Sequence, residues 1–132
     1  MDESSWETLR RAAMKARSHA YAPYSGFSVG AAVQTGSGAV FTGCNVENAS
    51  YGATICAERS ALSAALAAGE RVLVALTIAS GAARPTPPCG LCRQCLVELA
   101  PDLPIRSYTD RAHAEYDLAS LLPDPFGPEQ LR

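Results

Sequence analysis

The sequence predicts a layered α/β domain whose sheet is mixed rather than purely parallel. Apolar segments with helical spacing alternate with short β-rich runs, and a glycine-rich turn joins the first two of these runs as an antiparallel hairpin. A chain of 132 residues with 48% hydrophobic content can bury one compact core and is too short for two ordinary domains. We therefore expect a single domain over residues 1–132.

The first half is predicted to form a helix followed by a hairpin. Residues 5–19 carry apolar side chains at helical spacing, and the segment Ser4–Glu7 has the pattern of a capping box at the helix start. The runs at 29–34 and 40–45 flank the turn signal Gly36-Ser37-Gly38. Two antiparallel strands should follow the first helix.

The second half alternates predicted helices and strands. One helix, rich in alanine and leucine, should end at Gly69, since glycine is favoured just past a helix C-terminus. Another should open at Pro88 and end before Pro101, because proline is tolerated only in the first helical turn. The predicted elements are a helix at 55–68, a strand at 72–79, the helix from 88, a strand at 105–109 and a short helix at 118–122.

Charge and hydropathy exclude several classes of function. The formal net charge is −2 with both signs interspersed, so the chain lacks the basic stripe that a polynucleotide partner needs. No run of about 18 apolar residues could span a bilayer, and acidic residues precede any apolar run, unlike a signal peptide. We expect a cytoplasmic protein that binds neither membranes nor nucleic acid polymers. Five cysteines in such a chain favour metal or thiol chemistry over disulfides.

The cysteines form a split motif that predicts an open zinc site. Cys56-Ala57-Glu58 lies on one predicted helix, and Pro88-Cys89-Gly90-Leu91-Cys92 opens another. A structural zinc ion normally has four protein ligands, whereas a catalytic one keeps a position for water. Three thiolates match the catalytic arrangement, and Glu58 could sit beside that water and carry its proton. The known zinc deaminase signature is His-x-Glu with Pro-Cys-x-x-Cys, and here cysteine replaces the histidine.

Three thiolates also create a charge problem, because with zinc they carry a net charge of about −1, which weakens activation of water. Helix N-termini aimed at the metal would supply partial positive charge, and all three cysteines lie at predicted helix starts. Arg59, directly after Glu58, could add a full positive charge near the sulfurs.

Asn45 and Glu47 lie two residues apart at a strand end, so their side chains can point to one face and bind one sugar hydroxyl together.

Three further segments, 24–32, 42–52 and 121–127, accompany these motifs. Together they resemble the small homotetrameric cytidine deaminases from about Tyr21 to Phe126. The resemblance implies a three-layer α/β/α fold with a five-stranded mixed sheet and a Zn²⁺ cofactor. It also implies hydrolytic deamination of cytidine and deoxycytidine to uridine and deoxyuridine, with release of ammonia, in pyrimidine salvage.

The resemblance assigns roles to individual residues. Phe27 and Ala57 would contact the substrate, with Phe27 against the pyrimidine ring, while Asn45 and Glu47 would bind the ribose 3′-hydroxyl. Arg59 would hydrogen-bond the zinc cysteines without binding the metal. Tyr51 and Phe126 would reach a neighbouring subunit's active site, so the active sites of a homotetramer would be shared. The remaining assignments are Cys56, Cys89 and Cys92 as zinc ligands and Glu58 as the catalytic acid and base.

Other readings remain open. Cys95 lies one helical turn past Cys92 and could close a four-cysteine shell, which would make the chain a structural zinc-binding interaction domain. Alternatively, Cys95 and Cys44 are small packing residues. The Cys89–Cys92 pair alone is also compatible with thiol redox chemistry, although this leaves Cys56 without a purpose. Among deaminase substrates, free cytosine and blasticidin-type antibiotics are alternatives to a nucleoside.

Overall fold

The computed structural model describes all residues from Met1 to Arg132, which form four α-helices and one five-stranded sheet. The strands are β1 Val29–Thr35, β2 Val40–Cys44, β3 Leu73–Ser80, β4 Pro104–Tyr108 and β5 His113–Asp117. The helices are α1 Glu3–Arg17, α2 Ala57–Ala67, α3 Gly90–Val97 and α4 Leu118–Leu121, with short 3₁₀ turns at Tyr51–Ala53 and Pro128–Leu131.

The sheet is mixed, as predicted. Its strand order is β2-β1-β3-β4-β5, and every neighbouring pair is antiparallel except β3 with β4. A parallel pair needs a crossover connection, and here that connection contains α3. The fold therefore places the start of α3 just beyond the end of β3, where the second cysteine motif lies.

Helices cover both faces of the sheet, which confirms the predicted three layers. Consecutive residues of a strand point to opposite faces, and the neighbours Ala31 and Ala32 belong to different buried clusters. Ala32 packs with Leu9 and Ala13 of α1. Ala31 packs on the other face, where the cluster includes residues of α2 and α3. The cysteine motifs thus lie on the face opposite α1.

Two glycines let helices approach the sheet more closely than any other residue would allow. A Cβ at Gly30 would lie 2.0 Å from the Ala13 carbonyl oxygen of α1. On the other face, a Cβ at Gly43 would lie 2.4 Å from the Ala61 nitrogen and 2.6 Å from the Ala57 oxygen of α2. A Cβ atom does not come this close to a non-bonded atom, so β2 packs against the first turn of α2 at this distance because residue 43 is glycine.

The predicted start of α1 is wrong by two residues. The N-cap is Asp2, whose Oδ1 accepts a hydrogen bond from the Ser5 N–H at 2.8 Å, so Ser4 is not the cap of a capping box. An aspartate at this position both caps the helix and places negative charge near its positive end. The end of α2 agrees with the prediction, since Gly69 follows it with a φ of 92°.

Helix α1 is the longest helix, and none of the helices has the length and hydropathy needed to cross a membrane.

Arg106 of β4 links the start of α1 to the side of the sheet formed by β4 and β5. Its guanidinium lies 4.5 Å from the Trp6 ring centroid and pairs with Glu3 and Glu115, each at less than 3 Å. This arrangement joins α1 to β4 and β5, away from the cysteines.

Candidate functional site

The three cysteines of the split motif come together at the N-termini of two helices. Cys56 is the N-cap of α2, Cys89 is the N-cap of α3, and Cys92 lies in the first turn of α3. Their sulfur atoms all lie within 4.8 Å of one another, and the Sγ atoms of Cys56 and Cys89 are 3.7 Å apart. Two ligands of a tetrahedral zinc ion with Zn–S bonds of about 2.3 Å lie roughly 3.8 Å apart. The sulfur cluster therefore fits zinc in both donor type and spacing.

Positive charge reaches the sulfur cluster from Arg59 as well as from the two helix ends. The Nη2 atom of Arg59 lies 3.8 Å from the Cys56 sulfur and donates a hydrogen bond to the Thr54 carbonyl at 3.1 Å. The Thr54 contact fixes the guanidinium beside Cys56 while leaving that sulfur able to bind a metal. Arg59 thus lies beside the cluster, at the position that the sequence suggested.

Glu58 lies in the first turn of α2 and is only 6% exposed. Burial raises the pKa of its carboxyl group to about 7, and negative charge on Cys56 acts in the same direction. Within the cluster, hydrogen bonding from Cys92 and then Arg59 lowers the pKa of Cys56 to about 5, while contact with Cys56 raises the pKa of Cys92. Ionisation of Glu58 and Cys92 beside Cys56 is thus opposed by repulsion between negative charges, which a divalent cation bound by the sulfurs would relieve.

A cavity opens beside the sulfur cluster and will be called the inner cavity. Its lining includes Cys56, Cys89 and Glu58, and Phe27, Asn45 and Ala57 form part of its wall. Four of the residues predicted to lie near a substrate or to act on it, Phe27, Asn45, Ala57 and Glu58, therefore share one cavity with two of the predicted metal ligands. Thr86 and Pro87, which the sequence analysis did not single out, also line it.

A second cavity, the outer cavity, adjoins the first through their shared residue Thr54. Glu47 and Tyr51 line it together with residues that precede β1. Neither cavity has a lysine or arginine in its lining, so the only formal charges outside the sulfur cluster are those of Glu47 and Glu58. The outer cavity is lined by Tyr24, Ser25, Glu47, Asn48, Tyr51 and Thr54.

Asn45 and Glu47 both hold the backbone that precedes β1. The side chain of Asn45 accepts a hydrogen bond from the Val29 N–H at 2.9 Å and donates one to the Phe27 carbonyl at 2.7 Å. Glu47 Oε1 accepts hydrogen bonds from the N–H groups of Tyr24 and Ser25 at 2.9 and 3.1 Å. The two side chains predicted to bind sugar thus also fix the loop that carries Phe27.

The two aromatic residues predicted to reach a neighbouring subunit, Tyr51 and Phe126, do not line the inner cavity of this chain. Tyr51 is 74% exposed, with its ring 5.8 Å from that of Tyr24, and Phe126 is 58% exposed. The Phe126 carbonyl accepts a hydrogen bond from Gln94 of α3 at 2.8 Å. Most of the surface of each residue is therefore accessible in the single chain.

The remaining two cysteines do not join the sulfur cluster. Cys95 is half-buried on α3 and Cys44 is half-buried at the end of β2, and neither belongs to the set of groups close enough to hold a metal. The geometry therefore favours a three-sulfur site over the four-cysteine shell considered from the sequence.

The chain matches known proteins over nearly its whole length. The family profile described as "Cytidine and deoxycytidylate deaminase zinc-binding region" matches residues 3–106. A cytidine deaminase of Halalkalibacterium halodurans is 43% identical, covering 95% of this chain and 96% of that protein. One of Mycobacterium tuberculosis is also 43% identical, covering 99% and 96%.

A solved structure agrees in fold as well as in sequence. The crystal structure of cytidine deaminase from Burkholderia pseudomallei superposes with a TM-score of 0.89 at 46% identity, covering 96% of this chain and 100% of that one. At this identity and coverage the similarity extends beyond the fold to the sequence. With the profile match and the three-sulfur site, these comparisons establish that the chain belongs to the cytidine and deoxycytidylate deaminase family.

Proposed function

We propose that this chain is a zinc-dependent hydrolase that deaminates cytidine and deoxycytidine to uridine and deoxyuridine, releasing ammonia. The observation that carries the proposal is a buried carboxyl group, that of Glu58, in one cavity with Cys56 and Cys89 of the three-sulfur cluster. In this proposal residues 1–132 act as one deaminase domain. The similarity to named cytidine deaminases over 95% or more of the chain supports the same reaction.

Cys56, Cys89 and Cys92 would hold the metal. Bound zinc would act as a Lewis acid that lowers the pKa of water so that it can attack the pyrimidine ring at neutral pH. Arg59 and the starts of α2 and α3 would offset the negative charge of the three thiolates.

Glu58 would carry the protons of the reaction. Deamination needs a group that moves one proton of the attacking water to the ring nitrogen beside the attacked carbon and the other to the departing amino group, which leaves as ammonia. A carboxyl group with a pKa near 7 can both accept and donate a proton at neutral pH, and burial gives Glu58 such a value. Its burial at 6% exposure also keeps bulk water from competing for that proton.

The two cavities suit the two halves of a nucleoside. The base would enter the inner cavity against Phe27 and Ala57, and the sugar would extend to Asn45 and Glu47, whose polar groups suit its 3′-hydroxyl. A 2′-hydroxyl is not needed for this contact, so both cytidine and deoxycytidine should react. Free cytosine would leave Glu47 unused, and the same argument disfavours other cytosine compounds without a sugar.

A nucleoside also fits better than a nucleotide. Phosphate sites normally use arginine, lysine or a helix N-terminus. Neither cavity is lined by a basic side chain, and the outer one has the carboxylate of Glu47 in its wall. A 5′-phosphate would therefore meet like charge without a compensating cation, so we expect little activity on deoxycytidylate.

The same proposal includes a homotetramer with shared active sites, acting in cytoplasmic pyrimidine salvage. Tyr51, in the wall of the outer cavity, and Phe126 are both largely exposed. Tyr21, Val46 and Ile55 are joined by backbone bridges and are each more than 40% exposed, so they form one apolar surface. Such a surface is typical of an interface between subunits.

The proposal is tested by incubating metal-loaded protein with cytidine and deoxycytidine, following uridine or deoxyuridine formation by absorbance, and measuring zinc in the same sample. We expect rapid conversion of both nucleosides with about one zinc per chain, much slower conversion of deoxycytidylate, and a sedimentation mass of four chains. Tightly held zinc without turnover of any cytosine compound would instead favour a structural zinc module.

A further inference from the structure

The hydroxyl group of Ser25 can adopt only one hydrogen-bonding orientation. Its Oγ accepts a hydrogen bond from the Phe27 N–H at 3.0 Å and also contacts Glu47 Oε2. A backbone N–H can only donate, and an ionised carboxylate can only accept. The Ser25 proton must therefore point to Glu47, and the hydroxyl joins the Phe27 backbone to that carboxylate in one directed chain of hydrogen bonds.

The same contacts occupy most of the acceptor capacity of Glu47. A carboxylate has about four lone-pair sites, two on each oxygen. The N–H groups of Tyr24 and Ser25 fill the two sites on Oε1, and the Ser25 hydroxyl fills one on Oε2. The hydrogen bond from Ser25 lowers the pKa of Glu47, which keeps the carboxylate ionised at neutral pH. One directed acceptor site is left, on a side chain that lines the outer cavity.

We propose that Ser25 is a positioning residue. It orients Glu47 so that the free lone pair of Oε2 faces the 3′-hydroxyl group of the nucleoside's sugar. The inference rests on the proposed function, since it assumes that the sugar occupies the outer cavity. Ser25 lines the outer cavity but not the inner one that holds Glu58 and the sulfur atoms. Loss of its hydroxyl should weaken nucleoside binding without changing the metal site.

The test compares Ser25→Ala with the matched variant Ser28→Ala. Ser28 belongs to the same loop, and its hydroxyl makes no hydrogen bond. Each protein is assayed on cytidine and on 3′-deoxycytidine, which differ only in the 3′-hydroxyl group. Glu47 would accept a hydrogen bond from this group. Zinc content and thermal unfolding are measured on the same samples, and Ser25→Thr tests whether restoring a hydroxyl restores binding.

Ser25→Ala should lower kcat/KM for cytidine by about 10- to 100-fold, the range for loss of a hydrogen bond to a charged group, through a higher KM. On 3′-deoxycytidine this variant should behave like the wild type. The preference for cytidine, measured as the ratio of kcat/KM for cytidine to that for 3′-deoxycytidine, should therefore fall by the same factor. Ser28→Ala should keep the full preference, Ser25→Thr should recover most of it, and all variants should retain zinc.

An equal loss on both substrates, a loss confined to kcat, or an unchanged preference would overturn the role of Ser25 while leaving deaminase activity established. Wild-type protein that does not distinguish the two sugars would also overturn it. The failure of the proposed function looks different, because the wild type would then convert neither nucleoside.

Discussion

Replacing Gly43 with alanine should separate α2 from the sheet and thereby disturb the metal site. The new Cβ would lie 2.4 Å from the Ala61 nitrogen and 2.6 Å from the Ala57 oxygen. Ordinary contact begins near 3.4 Å, so the first distance must grow by about 1 Å (3.4 − 2.4). Both neighbouring atoms are backbone atoms and cannot rotate away. The first turn of α2 must therefore move as a unit.

This movement has two measurable consequences. Forcing extra atoms into a packed interior typically costs about 1–3 kcal/mol, so the free energy of unfolding should fall by that amount. Cys56 and Glu58 lie at the displaced helix start, whereas Cys89 and Cys92 belong to α3. Metal sites tolerate deviations of only about 0.2 Å in ligand distance, so zinc affinity should fall by about 10- to 100-fold.

Zinc affinity is measured by competition with a chromogenic chelator, and stability by thermal unfolding of the metal-free and metal-loaded protein. Gly52→Ala is the control, because a Cβ at Gly52 has no atom within 4 Å. It should match the wild type in both measurements. A Gly43→Ala protein with wild-type zinc affinity and wild-type unfolding would refute the argument that this glycine sets the position of α2.

Three further predictions address the reaction, the metal shell and the helix cap. Glu58→Gln should keep its zinc and lose activity by at least about 10²- to 10⁴-fold, the contribution typical of general acid–base catalysis, and near-normal turnover would contradict its role. Cys95→Ala should leave both zinc stoichiometry and turnover unchanged, because Cys95 lies outside the sulfur cluster, whereas loss of zinc would revive the four-cysteine site. Asp2→Ala should lower the thermal midpoint by a few degrees while Ser4→Ala does not, since Asp2 caps α1; the reverse order would restore the capping box.

The sequence predicted the metal cluster well because its signal is local. The spacing of Cys89 and Cys92 and the neighbouring positions of Cys56 and Glu58 each specify one helix start, and a helix start has a defined geometry. Four strands were also recognisable from apolar or β-branched runs. That the two helix starts lie close together depends on the tertiary fold, and the sequence analysis took this fold from the family resemblance.

Other features were not predictable from one sequence. Strand β5, His113–Asp117, alternates between exposed and half-buried residues at a sheet edge and has polar or acidic residues at both ends and at its centre, so no apolar run marks it. The cap of α1 was misassigned because Asp2 and Ser4 are both good caps and only the backbone path decides between them. The role of Ser25 depends on side-chain contacts in an irregular loop, which leave no periodic pattern.

The position of β3 between the two cysteine motifs has a consequence for biosynthesis. Cys56 precedes this strand in the chain, and Cys89 and Cys92 follow it. No nascent chain that stops short of Cys92 has the full set of sulfur ligands. At a synthesis rate of about 5–20 residues per second, strands β4 and β5 are complete only roughly 1–5 s later. The set of sulfur ligands is thus complete in the chain before the strands that finish the sheet have been synthesised.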